Sequence, residues 1–475
     1  MIGSRQYNIR MDILIHNTLS GKKEVFKPLV KGRVSMYQCG LTVYDTGHIG
    51  NFRTFIMGDI IRRTFEYRGY FVTQVTNITD VDDKTIRRSR EEKTSLLELT
   101  RRYEALYFED MESLNILMPH RVLRATDHVK DMIEMISTLL EKGFAYPSKD
   151  GIYFSIGKSA EYGALARLDK ISATANDMLR ERISNDEYEK ENPRDFALWK
   201  FESDADRDGE KIVSWDAPFG KGRPGWHIEC SAMATRALGD TIDIHTGATD
   251  LIFPHHTNEI AQSEAATGKR FVNYWIHGAF MNVNDAKMSK SKGNFIKIAD
   301  LEAETISPLS FRYWLLTSHY HTQVNFTADA VKAAQHAFIR LAEAYVSWPE
   351  GGAADATYAD KFSAFISDDF DMPKAIALVW ELAKDKKVSD ADKRATLLDF
   401  DRVFGLGFDA LLHVDQDSGI LAPADVPIEI QVLAEARDEA RKAKDWAKAD
   451  ALRAEIEERG YSVQDSDAGF VIREL

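Results

Sequence analysis

The sequence predicts an α/β protein built on a parallel sheet. Residues 33–39 have an extended pattern, and residues 70–76 are extended and β-branched. Between them, residues 53–67 repeat apolar side chains at helical spacing, directly after a HIGN turn. A strand, a turn, a helix and a strand in this order form a βαβ unit, which implies parallel strands joined by a right-handed crossover.

The pattern changes after this unit. Residues 115–218 combine helical segments, a strand candidate at 152–155 and a charge-rich stretch, which indicates an insertion. The sheet is predicted to resume near residue 225, with strands at 241–246 and 278–283.

Helical patterns dominate the chain after residue 301. Two stretches rich in Pro, Gly, Ala and Asp, at 349–358 and 419–427, are predicted linkers. Residues 436–460, ARDEARKAKDWAKADALRAEIEERG, form a strong helix pattern that ends at a glycine.

Composition limits the classes of function. The chain has 475 residues, of which 44% are hydrophobic, and this length suits two to four domains. No apolar run approaches the ~20 residues of a membrane span, and no secretory signal opens the chain, so we expect a cytoplasmic protein without a membrane segment. The net charge of −14 argues against indiscriminate binding to polyanions, although it allows a local basic face.

The two cysteines and a His–Glu pair have the residue types of a metal site. Cys39 lies nine residues before the histidine of the HIGN turn, and Cys230 ends RPGWHIEC. In FPHHTNE, we expect Pro254 to open a helix on which His255 and Glu259, four residues apart, point the same way. Sulfur, nitrogen and carboxylate oxygen are zinc ligands, and a tetrahedral site needs four. The alternative is that the cysteines are small buried hydrophobes and that the His–Glu pair is structural.

Two stretches could bind phosphate. The HIGN turn begins with His48 at the start of a helix, where free backbone N–H groups beside an imidazole suit an anion. KMSKSKGN, residues 287–294, has lysines three apart with two serines and a glycine, which could bind nucleotide phosphates. A solvated basic loop is the alternative interpretation of KMSKSKGN.

The ordered set of motifs resembles one family. CGLTVYDTGHIGN, NITDVDDK, GWHIECSAM, FPHHTNEIAQSE and KMSKSKGN follow one another between residues 39 and 294. LARLDK, DFALWK, HYHTQVNF and KDWAKAD extend the pattern. In these motifs the chain resembles the class I cysteinyl-tRNA synthetases over nearly its whole length.

The resemblance implies a domain organisation. A Rossmann-like catalytic domain would have a first half at 10–117 and a second half at 221–300, separated by a connective insertion at 118–220. A stem-contact segment and a helical bundle for tRNA would occupy 301–420, and a small anticodon-binding module would occupy 421–475.

The resemblance also implies an activity. Members of the family use ATP and Mg²⁺ to convert L-cysteine to cysteinyl-adenylate, and they transfer the cysteinyl group to the terminal adenosine of tRNA-Cys. By this resemblance we expect a monomer with one zinc ion, held by Cys39, Cys230, His255 and Glu259. The substrate thiol would bind this metal as thiolate, for which a serine hydroxyl is a poor substitute.

The ATP contacts implied by the resemblance lie in the two phosphate motifs. His48 and Asn51 match the ends of the signature turn, and Asn51 stands where a second histidine is common. Lys290 matches the lysine that contacts the triphosphate, and Lys287 opens the same catalytic loop.

The cysteine pocket implied by the resemblance contains Thr79, Trp226 and His245. A core aromatic remains the alternative for Trp226, and a buried, hydrogen-bonded imidazole remains the alternative for His245.

Two other functions are compatible with parts of this pattern. One is a ligase of the same fold that transfers cysteine to a small amino sugar, as in the mycothiol pathway, but this relative lacks the anticodon part that KDWAKAD suggests here. The other is a catalytically silent RNA-binding paralogue, which would need neither a thiol-selective metal nor phosphate-binding lysines.

A limited RNA surface is predicted near the C-terminus. Between residues 437 and 448 the basic side chains outnumber the acidic ones, with Trp446 among them; the basic residues are Arg437, Arg441, Lys442, Lys444 and Lys448. An exposed helix stabilised by i,i+4 ion pairs is the alternative.

Overall fold

The computed structural model describes residues 12–168, 195–208, 211–287, 294–410, 426–466 and 469–474. The chain forms two compact units, one comprising Met1–Ala344 with Trp348–Leu406 and the other Tyr345–Ser347 with Gly407–Leu475. In the described part of the chain, no helix is both long and apolar enough to cross a membrane.

The first unit contains the predicted parallel sheet. Among the described residues five parallel strands lie side by side in the spatial order Val272–Gly278 (β13), Ile242–Ala248 (β12), Arg33–Gln38 (β3), Phe71–Ile78 (β4) and Arg121–Arg124 (β5). Helix α1 (Ile49–Tyr67) connects β3 to β4. The α/β prediction is therefore confirmed. Strand β5 belongs to this sheet, although it lies inside the range predicted for the insertion.

The region between β5 and β12 contains an antiparallel sheet of which only one strand was predicted. Its strands pair in the order Gly222–Pro224 (β11), Phe196–Phe201 (β8), Gly151–Phe154 (β7) and Ala145–Pro147 (β6). Strands β6 and β11 have only three residues each, too few to display a period, and β8 begins with four consecutive buried residues instead of an alternating pattern.

Helices flank the two sheets and continue after them. Those before residue 407, apart from α1, are Asp83–Glu92 (α2), Leu96–Ser113 (α3), Val129–Glu141 (α4), Trp226–Leu238 (α5), Thr257–Thr267 (α6), Ile298–Ala303 (α7), Pro308–Leu316 (α8), Ala328–Ser347 (α9), Ala356–Ser367 (α10), Met372–Lys384 (α11) and Asp390–Phe404 (α12). The described residues of the first unit also form two separate two-stranded sheets, Leu14–Asn17 (β1) with Lys22–Val25 (β2) and Arg207–Asp208 (β9) with Lys211–Ile212 (β10).

The strand predicted at 278–283 is wrong as a single element. The parallel sheet ends at Gly278, and the chain then enters a small separate sheet. That sheet is formed by Met281–Val283 (β14), Ala286–Lys287 (β15) and Val324–Phe326 (β16). This apolar stretch therefore contributes strands to two different sheets. The alternation of residues along the sequence does not show where one sheet ends and the next begins.

The second unit is a small α+β module. It contains Ile428–Lys442 (α13), Trp446–Glu458 (α14), and a hairpin of Tyr461–Ser466 (β17) and Gly469–Glu474 (β18). The helix predicted across 436–460 is wrong, because Lys444 adopts a φ of 61° between α13 and α14. Asp445 then starts α14 by accepting a hydrogen bond from the backbone N–H of Lys448. Arg437 is buried and does not contribute to a basic surface.

We predict that breaking a buried ion pair in the first unit strongly destabilises the fold. The fully buried Arg312 lies 2.5 Å from Asp59 and also donates to the carbonyl oxygens of Leu114 and Phe404. Arg312→Met should lower the free energy of unfolding by about 3 kcal/mol, because Asp59 and the carbonyls stay buried without this donor. Urea unfolding would measure the loss. Arg340→Met, which removes an exposed arginine, is the control, and equal losses in both variants would contradict the prediction.

Candidate metal centre and active-site cavity

The predicted site residues meet at the carboxyl ends of the parallel strands. Cys39 directly follows β3, and Thr79 directly follows β4. Cys39 adjoins a cavity of about 450 Å³, which His48, Asn51 and Trp226 also help to line. Open α/β sheets bind ligands at this edge, so the location suits an active site.

Four of the predicted residues form a compact ligand set. The described residues include a group in which the sulfur, nitrogen and oxygen atoms of Cys39, Cys230, His255 and Glu259 all lie within 4.8 Å of one another. The Cys39 sulfur is 3.7 Å from both the Cys230 sulfur and Glu259 Oε1. His255 Nε2 is 3.0 Å from the same Glu259 oxygen. All four side chains are buried, and Cys39 is the one that reaches the cavity.

The route to this geometry differs from the prediction. Helix α6 begins at Thr257, so Pro254 does not open it, and the Phe253–Pro254 peptide is cis. His255 therefore precedes the regular helix that carries Glu259. The two side chains nevertheless face each other, because the backbone is extended at Phe253 (φ −139°, ψ 131°) and then turns helical from Pro254 into α6.

Protonation in the cluster follows from burial and mutual contact. The hydrogen bond from Cys39 outweighs burial and lowers the pKa of Cys230 to about 6, whereas burial raises the pKa of Cys39 well above its usual value. Burial opposes ionisation of Glu259 and His255. Their partners outweigh it, lowering the pKa of Glu259 to about 2 and raising that of His255 to about 10.

The donor set fits a zinc ion. The lowered pKa values of Cys230 and Glu259 favour a thiolate and a carboxylate beside the imidazole of His255, and all three side chains are buried. A divalent cation would balance this buried negative charge once His255 loses its proton, and the donor types are those that zinc accepts.

A second group of potential ligands adds one residue, His256, that was not predicted from the sequence. Cys39, His245, His256 and Glu259 also have one ligand atom each within 4.8 Å of the others. His256 Nε2 lies 3.5 Å from the Cys39 sulfur. Burial lowers the pKa of His256 well below its usual value, and His245 and His277 add to this effect. The sequence signal for His256 was its position directly after His255 in FPHH.

The cysteine-pocket residues differ in access. Trp226 is 38% exposed, lines the cavity and stacks on His255 at 4.1 Å between ring centres, so it is not a core aromatic. His245 is buried and lies 3.1 Å from Glu259 Oε2. Thr79 is buried, and its hydroxyl donates to Glu229 and accepts from Asn77. Neither Thr79 nor His245 lines the cavity.

The HIGN turn forms a closed cap at the start of α1. The backbone N–H of Asn51 donates to His48 Nδ1, and the backbone N–H of His48 donates to Asn51 Oδ1, each at 3.1 Å. This reciprocal pair is a capping box, which gives the Asn51 side chain a structural task at the cavity wall.

The lysine loop, defined here as residues 287–294, is described only at its ends. Lys287 is the last residue of β15, and Asn294 precedes α7. Lys290 lies outside the described residues.

Two family models match the chain. The class I (C) catalytic domain of tRNA synthetases matches residues 25–336, and the cysteinyl-tRNA ligase anticodon binding domain matches residues 424–473. Cysteine–tRNA ligase 1 of Burkholderia lata is 40% identical over 97% of this chain and 96% of its own length. The cysteine–tRNA ligase of Chlamydia pneumoniae is 42% identical over 98% of both chains.

Solved structures share the fold at low identity. Mycobacterium tuberculosis methionyl-tRNA synthetase with methionyl-adenylate aligns with a TM-score of 0.56 and 17% identity, covering 82% of this chain and 94% of that one. An Agrobacterium radiobacter LeuRS in a ternary complex aligns with a TM-score of 0.58 and 11% identity, covering 81% and 85%. Since full-length relatives and both family models agree, the chain belongs to the cysteine–tRNA ligases, a family of class I aminoacyl-tRNA synthetases.

Proposed function

We propose that this enzyme activates L-cysteine with ATP and Mg²⁺, and then transfers the cysteinyl group to the 3′-terminal adenosine of tRNA-Cys. The observation that carries the amino-acid specificity is the buried set of Cys39, Cys230, His255 and Glu259 at the edge of the cavity. The curated relatives, each named a cysteine–tRNA ligase, support the same substrate.

In the proposed first step the substrate carboxylate attacks the α-phosphorus of ATP. The bond from this phosphorus to the bridging oxygen of pyrophosphate breaks, and negative charge grows on the leaving group. His48, Asn51, Lys287 and Lys290 would stabilise this charge through preorganised donors. No general base is needed, because a carboxylate is already ionised at neutral pH.

In the proposed second step a hydroxyl of the terminal ribose attacks the carbonyl carbon of cysteinyl-adenylate. The carbon–oxygen bond to AMP breaks, the proton of the attacking hydroxyl passes to the departing phosphate, and the cysteinyl ester remains on the tRNA. Trp226 lines the cavity beside His255 and would enclose the substrate side chain, excluding water from it.

Cys39, Cys230, His255 and Glu259 would hold one zinc ion. When bound, zinc supplies a soft-donor contact that favours the thiolate of cysteine over the hydroxyl of serine. Loss of a specific bond is the kind of difference from which ~10⁴-fold discrimination can arise without an editing site. His245, which pairs with Glu259, would fix the orientation of that carboxylate.

Cysteine charging of tRNA carrying the GCA anticodon tests the proposal, with serine assayed in parallel. We expect cysteine to be charged and serine to be rejected. ATP consumption with cysteine but no charged tRNA would contradict the second step and favour transfer to a small amine.

We expect Trp446 to take part in tRNA binding. Its ring is 56% exposed at the start of α14, and the guanidinium of Arg441 lies 5.7 Å from the ring centre. An exposed aromatic beside a cation suits stacking with an unpaired base. Trp446→Ala should lower kcat/KM for tRNA about 10- to 100-fold, since stacking contributes ~1–3 kcal/mol per base.

Aminoacylation kinetics with varied tRNA, alongside ATP–pyrophosphate exchange, would measure this effect. Trp446→Phe, which keeps a stacking face, should lose much less. An equal loss of pyrophosphate exchange in Trp446→Ala would show that the effect is not on tRNA binding.

A further inference from the structure

A buried arginine joins the HIGN turn to the chain that leads into the lysine loop. Arg53 lies on α1, two residues after Asn51, and is 8% exposed. Its Nη1 donates to the carbonyl oxygen of Phe280 at 2.5 Å, and its Nη2 donates to that of Thr322 and, at 3.5 Å, to that of Tyr320. The guanidinium therefore binds three carbonyl oxygens in two separate stretches of chain.

These carbonyls occupy the entrance to the small sheet that carries Lys287. Phe280 immediately precedes β14, which forms a hairpin with β15, and Lys287 ends β15. Thr322 lies in the turn before β16, the parallel neighbour of β14. One side chain of α1 thus fixes both strands on which the start of the lysine loop depends.

The far end of the lysine loop is also attached to the HIGN turn. The backbone N–H of Ile49 donates to the carbonyl oxygen of Ile296 at 2.9 Å. The His48 ring packs edge-on against Phe295, with 5.0 Å between ring centres. The first two turns of α1 therefore contact the chain on both sides of the lysine loop, and Arg53 supplies the contact on the upstream side.

Arg53 is a buried arginine whose hydrogen-bond partners are backbone carbonyl oxygens. Burial lowers its pKa to about 10, and among the described residues no carboxylate lies within 4.0 Å of its guanidinium. Burial of a cation against carbonyl oxygens alone is unfavourable in free energy. The planar guanidinium can donate to several carbonyl oxygens at once, whereas a lysine ammonium would match fewer of them. We interpret this unfavourable burial as a sign that the two stretches of backbone bound by Arg53 must be held in exact positions.

We propose that Arg53 is a positioning residue for adenylation, which holds the HIGN turn and the β14–β15 hairpin at the separation that ATP requires. This inference rests on the proposed binding of ATP by His48, Asn51 and the lysine loop. Arg53 itself does not line the cavity and would act through the backbone that it binds.

The test compares Arg53→Lys with Arg62→Lys by ATP–pyrophosphate exchange. Arg62 is the matched control, because it is equally buried on the same helix but donates to the Met118 carbonyl and Glu66, away from both motifs. For Arg53→Lys we expect kcat/KM for ATP to fall about 10- to 100-fold, the order of loss that a 1 Å misplacement causes. Its KM for cysteine and its zinc content should stay unchanged. Arg62→Lys should stay within about twofold of wild type in all of these measurements.

Equal ATP parameters in Arg53→Lys and Arg62→Lys, with similarly lowered melting temperatures, would overturn the proposal and leave Arg53 as a structural residue. A parallel rise in KM for cysteine or a loss of zinc would overturn it too. If Arg53→Lys does not fold, Arg53→Gln, which buries a neutral amide, carries the same comparison. Failure of the proposed function would look different, because the wild type itself would then show no cysteine-dependent exchange.

Discussion

Cys230→Ser is expected to lose zinc and cysteine activation together. Removal of a partner that only supports a ligand costs about 10- to 100-fold in metal affinity, so loss of a ligand itself should exceed about 100-fold. A serine hydroxyl does not ionise near neutral pH, whereas contact with Cys39 lowers the pKa of Cys230 to about 6. Metal analysis of the purified protein and cysteine-dependent ATP–pyrophosphate exchange would measure both effects.

Met233→Leu is the control for this variant. Met233 is buried on the same helix, α5, but has no ligand atom in the cluster, and the exchange conserves its volume. It should keep its zinc and its activity. Full cysteine activation by a zinc-free Cys230→Ser protein would refute the proposed role of the metal.

Lys290→Ala is expected to slow adenylation by about 10²- to 10³-fold, the usual cost of removing one preorganised donor to a developing charge. The resemblance does not make Lys290 a zinc ligand, so the zinc content of the variant should match that of the wild type. Pre-steady-state formation of the adenylate separates this step from tRNA transfer.

Lys297→Ala controls for loss of a nearby positive charge. Lys297 lies just before α7, outside the lysine loop, and its backbone N–H bonds to Asp300. Equal slowing in both variants would indicate a general charge effect, and loss of zinc in Lys290→Ala would mean that the loop has been assigned the wrong task.

Local patterns carried much of the fold. The βαβ unit from β3 through α1 to β4 was predicted, because apolar spacing over a 19-residue helix is unambiguous. The antiparallel strands β6, β8 and β11 were missed, since β6 and β11 have only three residues each and β8 begins with four consecutive buried residues instead of an alternating pattern. The break between α13 and α14 was also missed, because Lys444 carries no glycine or proline signal for its positive φ.

By itself the sequence determined the family and the residue types of the candidate metal set, because the order and spacing of its motifs are specific. Only the tertiary structure brought Cys39 within 3.7 Å of Cys230, 191 residues away, and added His256 as a neighbour of the same sulfur. Only the tertiary structure revealed the hydrogen bond from Arg53 to the carbonyl oxygen of Phe280, 227 residues away. Such contacts depend on which strands lie side by side and in what register, and these are properties of packing over the whole sheet that no local stretch of sequence specifies.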